Sequence, residues 1–151
     1  AMAAGLSITR DKLDAFADFV EERVQRAELS LQPSLGVDAA MSVGGATPDL
    51  HRLLDRAGPY GSGNPEPRFA LRACRVEYAK VVGSGHVSCR LAAEGKSRLK
   101  AIAFRSADSD VGQAILEAAG RPLHFAGHLR ADRWNGRDGV QLIVEDVARV
   151  G

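Results

Sequence analysis

The chain has 151 residues, 45% hydrophobic and 26% charged, with a formal net charge of +1, which suits one ordinary folded domain or two small ones and excludes a disordered or fibrous chain. No apolar run approaches the roughly 18–20 residues that cross a bilayer, and the N-terminus lacks the basic-then-apolar layout of a signal peptide, so a cytoplasmic protein without membrane contact is expected. Cys74 and Cys89 cannot build a disulfide framework and have no second Cys or His at metal-finger spacing, so both are expected to be buried free thiols.

The small net charge hides an asymmetry about Pro67. Residues 1–67 carry 6 Lys+Arg against 10 Asp+Glu, whereas residues 68–151 carry 14 against 9. Of those 14 cations, 11 are Arg, which favours bidentate and stacking contacts over plain solubility. A basic second half fits a polyanionic partner.

In chain order, Ala1–Gly5 is a run of small helix formers too short to stand alone, so the chain is expected to open inside an element. Leu6–Ile8 reads as a short strand. Thr9 is placed as an N-cap with Asp11 in the first turn, and Leu13, Phe16, Ala17, Val20 and Val24 recur at helical spacing. The opposite face of that helix, with Lys12, Asp14, Asp18, Glu21, Glu22, Arg23 and Arg26, reads as solvated surface. Leu35–Val43 reads as a strand ended by Gly44 and Gly45, and Thr47-Pro48 opens a second helix that stops at Gly58. His51 on that helix has no partner at metal spacing.

The decapeptide 59–68, PYGSGNPEPR, separates two different patterns. Three prolines and two glycines exclude helix and central strand. Proline at this density suits a fixed spacer between two units, the other reading being an ordinary loop.

From Phe69 the period becomes two. Strands are expected over Phe69–Val81, over a second run in which Val87, Cys89 and Leu91 alternate with His86, Ser88 and Arg90, and over Leu99–Arg105. A helix Asp110–Ala119 follows, then strands Leu123–Arg130 and Val140–Val147. The order β-β-β-α-β-β with the helix between strands three and four matches a five-stranded OB-fold barrel better than a small open sandwich. The fold class expected for the whole chain is α+β, a partial α/β unit followed by that barrel.

OB barrels bind oligonucleotides or oligosaccharides on the face of strands two and three and the adjoining loops. Here strand two offers His86 and Arg90, strand three Arg98, Lys100 or Arg105 depending on which of its weakly alternating faces points outward, and the last loop Arg130, Arg133, Trp134 and Arg137. An aromatic among cations suits single-stranded nucleic acid, the cations tracking phosphates while the ring stacks on a base. Trp134 can equally fold back to cap the barrel end. His124 and His128 on one strand lie about 13 Å apart, too far to share a metal ion.

Two stretches carry a resemblance to a known family. AMAAGL at the start is similar to the end of the Gly-Gly-His-Ala-Met-Ala-Ala-Gly motif of the bacterial RecJ single-strand-specific exonucleases of the DHH phosphoesterase superfamily. PYGSGNPEPRF resembles the family's Pro-Phe-Gly-x-Gly-Asn-Pro-x-Pro junction, with Tyr60 in the aromatic place, and GSGHVSCRL and LKAIAFR resemble its barrel strands. The resemblance implies that residues 1–58 are the end of the DHH-associated domain, 59–68 a junction and 69–151 an OB domain that binds single-stranded DNA in a 5′→3′ exonuclease of recombination and repair. It also implies Mn2+ or Mg2+ in a catalytic domain outside this chain. No metal ligand or catalytic motif of the family carries over to a residue here, so the 151 residues are expected to have no cofactor and no nuclease activity of their own. The competing reading is an OB-type docking surface for a repair partner such as a single-strand-binding protein or a helicase; a sugar or small-molecule binder is disfavoured by the few aromatics on the face.

Overall fold

In the computed structural model, residues 5–26, 34–93, 95–118, 120–132 and 138–151 are described. The chain divides into two compact units, Ala1–Ser34 and Leu35–Gly151.

Among its described residues, the first unit is built around one α-helix. A 3-10 turn, Arg10–Lys12, leads into α1, Leu13–Arg26. Thr9 occupies the extended cap position, but its backbone carbonyl accepts from Lys12 N while its side chain makes no capping bond. An Arg26–Glu22 pair at 2.5 Å and Arg23 over the Phe19 ring at 5.8 Å decorate its surface. The strand expected at Leu6–Ile8 does not form: those residues are irregular, and among the described residues no neighbouring strand pairs with them, without which an isolated extended segment is unstable in water.

The second unit begins with β1, which spans only Ala39–Met41 rather than Leu35–Val43. It runs parallel to the start of β2, Phe69–Val82, pairing Ala39 with Phe69 and Met41 with Leu71. The strand begins just after Asp38, whose N donates to Arg68 O and whose carboxylate accepts from Arg68 N, both at 2.8 Å. Beyond Met41, Ser42 caps a 3-10 turn, Val43–Gly45. Helix α2, Pro48–Ala57, starts as expected: Thr47 Oγ1 accepts from Leu50 N at 3.2 Å and Pro48 needs no donor in the first turn.

The remaining strands are β3 (His86–Ala92), β4 (Arg98–Ala103), β5 (Pro122–Asp132) and β6 (Gly139–Arg149). Hydrogen bonding runs β2-β3-β4-β6-β5 and returns from β5 to β2, so five strands close a barrel, with β4 and β6 parallel and the other pairs antiparallel. This is the connectivity of an OB fold. Closure demands strong coiling of β2, which pairs on both sides, and two register shifts supply it, one between Leu71 and Cys74 and one between Val76 and Tyr78. β4 ends at Ala103 rather than Arg105 because Arg105 takes φ +50° and leaves the ladder.

Helix α3, Asp110–Leu116, is capped by Ser109 Oγ and lies between β4 and β5. It drives Ile115, fully buried, into the core with Leu71, Leu91, Phe125 and Leu142. Burying such a side chain is worth about 1.5–3 kcal/mol. Gly112 permits the contact, since a Cβ there would lie 1.7 Å from Ser106 O.

Candidate nucleic-acid interface

Pleating sends alternate residues to opposite faces, and the barrel's ladder lines up those of five strands. On the inside, Ala79, Cys89, Ala101, Leu142 and Leu129 form one row of cross-strand partners. One residue along, on the outside, Tyr78 pairs with Arg90, Arg90 with Lys100, Lys100 with Gln141 and Gln141 with Arg130. At 4.7–4.9 Å between strands, this outer row runs about 19 Å across the sheet. A flanking row carries Lys80, Ser88, Ile102, Ile143 and His128, and a shorter one Arg75, Ala92 and Arg98.

Of the residues expected at this face, Arg90, Lys100 and Arg130 therefore share one row and Arg98 lies beside it. Arg90 stacks its guanidinium 5.1 Å from the centre of the Tyr78 ring. Arg98 Nε lies 2.5 Å from Glu77 Oε1, Lys100 Nζ lies 3.0 Å from Asp132 Oδ2, and Arg130 grips Glu66 through both terminal nitrogens. His86 and Arg105 sit at the strand end. Arg105 N, displaced by its positive φ, donates to His86 Nδ1 at 2.9 Å, and the His86 ring packs edge-on against Phe104 with centroids 5.1 Å apart. His124 has the same structural task, accepting at 3.1 Å from N of Ala73, which also takes a positive φ. Arg133, Trp134 and Arg137 lie outside the described residues.

Tyr78 was not expected here. Strict alternation from Cys74 and Val76 points it inward, but the bulge at Glu77 inserts one residue, reverses the parity and leaves Tyr78 41% exposed. Phe104, 55% exposed at the end of β4, is the second unexpected aromatic. Its signal in the sequence is its neighbour Arg105, in the FR pair after the apolar run.

The junction 59–68 is tied down at both ends. Tyr60 OH donates to Leu54 O at 2.5 Å, and Asn64 Nδ2 donates to Ala57 O and Pro59 O, which fixes the turn to the end of α2. At the other end Glu66 holds Arg130, His128 Nδ1 lies 2.9 Å from Pro67 O, and Arg68 pairs with Glu145 while donating to Gly36 O. The hydrogen bond and charge of Arg68 hold the Glu145 carboxyl below the ordinary carboxylate value, with His128 adding to the effect; Glu145 in turn raises the Arg68 guanidinium. Burial pushes the Cys74 and Cys89 thiols up to about 11 and about 12.

Among the described residues no group of three or more His, Cys, Asp or Glu side chains could hold a metal ion. Both β5 histidines have protein partners instead. No described helix is long and apolar enough to cross a membrane.

The family model of the RecJ OB domain matches residues 37–146. The single-stranded-DNA-specific exonuclease RecJ of Dickeya dadantii is 30% identical over 96% of this chain, and that of Escherichia coli is 30% identical over 97%. The chain spans about a quarter of the length of each. Among solved structures, RecJ of Thermus thermophilus in complex with Mg2+ superposes with a TM-score of 0.67 at 25% identity, over 96% of this chain and 21% of that one. With the OB connectivity and outer row in place and a family match across most of the chain, the protein belongs to the RecJ family and carries its OB domain.

Proposed function

We propose that the barrel is the single-stranded-DNA-binding surface of a 5′→3′ single-strand-specific exonuclease of recombination and repair. The observation that carries this is the outer row Tyr78-Arg90-Lys100-Gln141-Arg130, which sets a stacking ring and three cations in one line across the sheet. The curated relatives are named as exonucleases of that specificity. Phosphodiester hydrolysis, with Mn2+ or Mg2+ as its cofactor, belongs to parts of such an enzyme outside these residues, and the chain alone is inactive. Residues 1–58 are assigned to the end of the DHH-associated domain and 69–151 to the OB domain. The composition change at 59–68 supports that division, while α2 and the junction form one compact unit with the barrel. A cytoplasmic location accords with this role.

The strand would lie across the row, its phosphates met by Arg90, Lys100 and Arg130 and its bases stacked on aromatic faces, a mode that tolerates any sequence. The test is binding of the 151-residue chain to a fluorescent oligothymidine and to duplex of equal length over a salt series, with Arg90→Ala and Trp134→Ala alongside. Preference for single strands is expected, log K falling as log salt rises, with losses in both variants. Absence of binding to either DNA refutes the reading and leaves the face as a docking surface for a repair protein.

A further inference from the structure

Three cations of the proposed DNA face are occupied before any ligand arrives. Arg98, Lys100 and Arg130 are held by Glu77, Asp132 and Glu66. In each pair the acid is the inner partner, its side chain 24, 22 or 19% exposed against 37, 41 or 51% for the cation. The acids come from three unrelated places: the β2 bulge, the end of β5 and the junction. The bulge is the most telling, because it inserts Glu77 between Val76 and Tyr78, 3.8 Å from Arg75 as well as 2.5 Å from Arg98. Among the described residues Arg90 makes no ion pair and rests on Tyr78 alone.

We infer that Glu66, Glu77 and Asp132 are built-in rivals of the DNA phosphates for Arg130, Arg98 and Lys100, and hold this face to weak, readily exchanged binding. The inference rests on the reading of the face as a single-strand-binding surface and concerns how tightly it grips. A phosphate that takes a cation from a carboxylate sheds its own counterion, but the released carboxylate gathers one. The exchange therefore gains little from counterion release, and these three cations add little to the salt slope. Arg90 keeps its full electrostatic weight. Such a face suits a strand that must slip forward after each cleavage, since every phosphate contact has a waiting replacement on the protein.

The opposite role for the acids is to aim the cations at phosphate, and it makes the opposite prediction. The test is oligothymidine binding across a salt series for the parent chain, for Glu66→Gln, Glu77→Gln and Asp132→Asn singly and together, and for Glu117→Gln on the turn after α3 as a charge-matched control. Each single variant is expected to tighten binding roughly 2- to 5-fold, the range of exposed ion pairs. The triple variant should show a log–log salt slope steeper by about 2, from three released cations at about 0.7 each. The control should be near neutral at about 0.1 M salt, where screening acts within about 10 Å. Unchanged or weaker binding by folded variants while the parent still binds overturns the inference and spares the DNA-binding reading. Equal tightening by Glu117→Gln also overturns it, because bulk charge then explains the effect. If neither parent nor variants bind, the reading itself fails and takes the inference with it. Should the triple variant not fold, the three single variants decide.

Discussion

Gly127 is the position where one added methyl group should do most damage. The β5–β6 register steps there: Ala126 faces Asp146 and Gly127 faces Val144, so Glu145 is the extra residue. The two backbones approach so closely that a Cβ on Gly127 would lie 1.9 Å from Ile143 O, 2.9 Å from its carbonyl carbon and 3.2 Å from Val144 Cα. Favourable contacts between carbon atoms need about 3.5–4.0 Å, so one strand must retreat by more than an ångström. β6 is not free to do so, since it lies between β5 and β4 and pairs Leu142 and Ile143 with β4. Ordinary overpacking costs about 1–3 kcal/mol; a clash with constrained backbone should reach or pass the top of that range. At about 2–4 °C per kcal/mol for a chain of this size, Gly127→Ala should lower Tm by on the order of 10 °C. Circular dichroism melts of Gly127→Ala beside Gly61→Ala, whose Cβ would meet nothing within 4 Å, make the comparison. A Gly127→Ala melt within about 2 °C of the parent would refute the argument that this bulge is closed to a side chain.

Three further outcomes follow from the site. Tyr78→Ala should weaken oligothymidine binding by about 1–3 kcal/mol, the worth of one stacked base, while Tyr78→Phe retains it; equal binding by Ala and Phe variants in fluorescence anisotropy would remove Tyr78 from the interface. The lowered Glu145 carboxyl contributes stability that is present above its ordinary value of 4.5 and is lost as pH falls through the lower folded value. The stability gap between the parent and Glu145→Gln, measured by urea melts, should therefore be widest above pH 4.5 and close in acid; a gap independent of pH contradicts the Arg68–Glu145 assignment. Cys74 and Cys89, buried and raised to about 11 and about 12, should react with a thiol reagent at about pH 8 only at the rate of unfolding, and rapid labelling of either in native protein would show a more open barrel.

The order of elements from Thr47 onward was legible because each rests on local chemistry. Thr47-Pro48 starts a helix whatever surrounds it, Gly83 and Gly85 turn the chain with positive φ, and alternation such as Val87-Ser88-Cys89 marks a strand. The same local signals failed where a partner was required, as at Leu6–Ile8, or where a side chain took one bond of the ladder, as the Asp38 carboxylate does in accepting from Arg68 N. The cations of the face were legible as residue types. Their state was not: Arg98, Lys100 and Arg130 find their acids 21, 32 and 64 positions away in the chain.

From the sequence alone came the order along the chain of the barrel's strands and its helix, since propensity, turn chemistry and periodicity act over a few residues. Tertiary structure alone decided which side chains share a row, which cations are already paired, and that Tyr78 faces out. A bulge shifts parity by one residue, and barrel closure selects where the bulges fall; both depend on strands that meet only after folding.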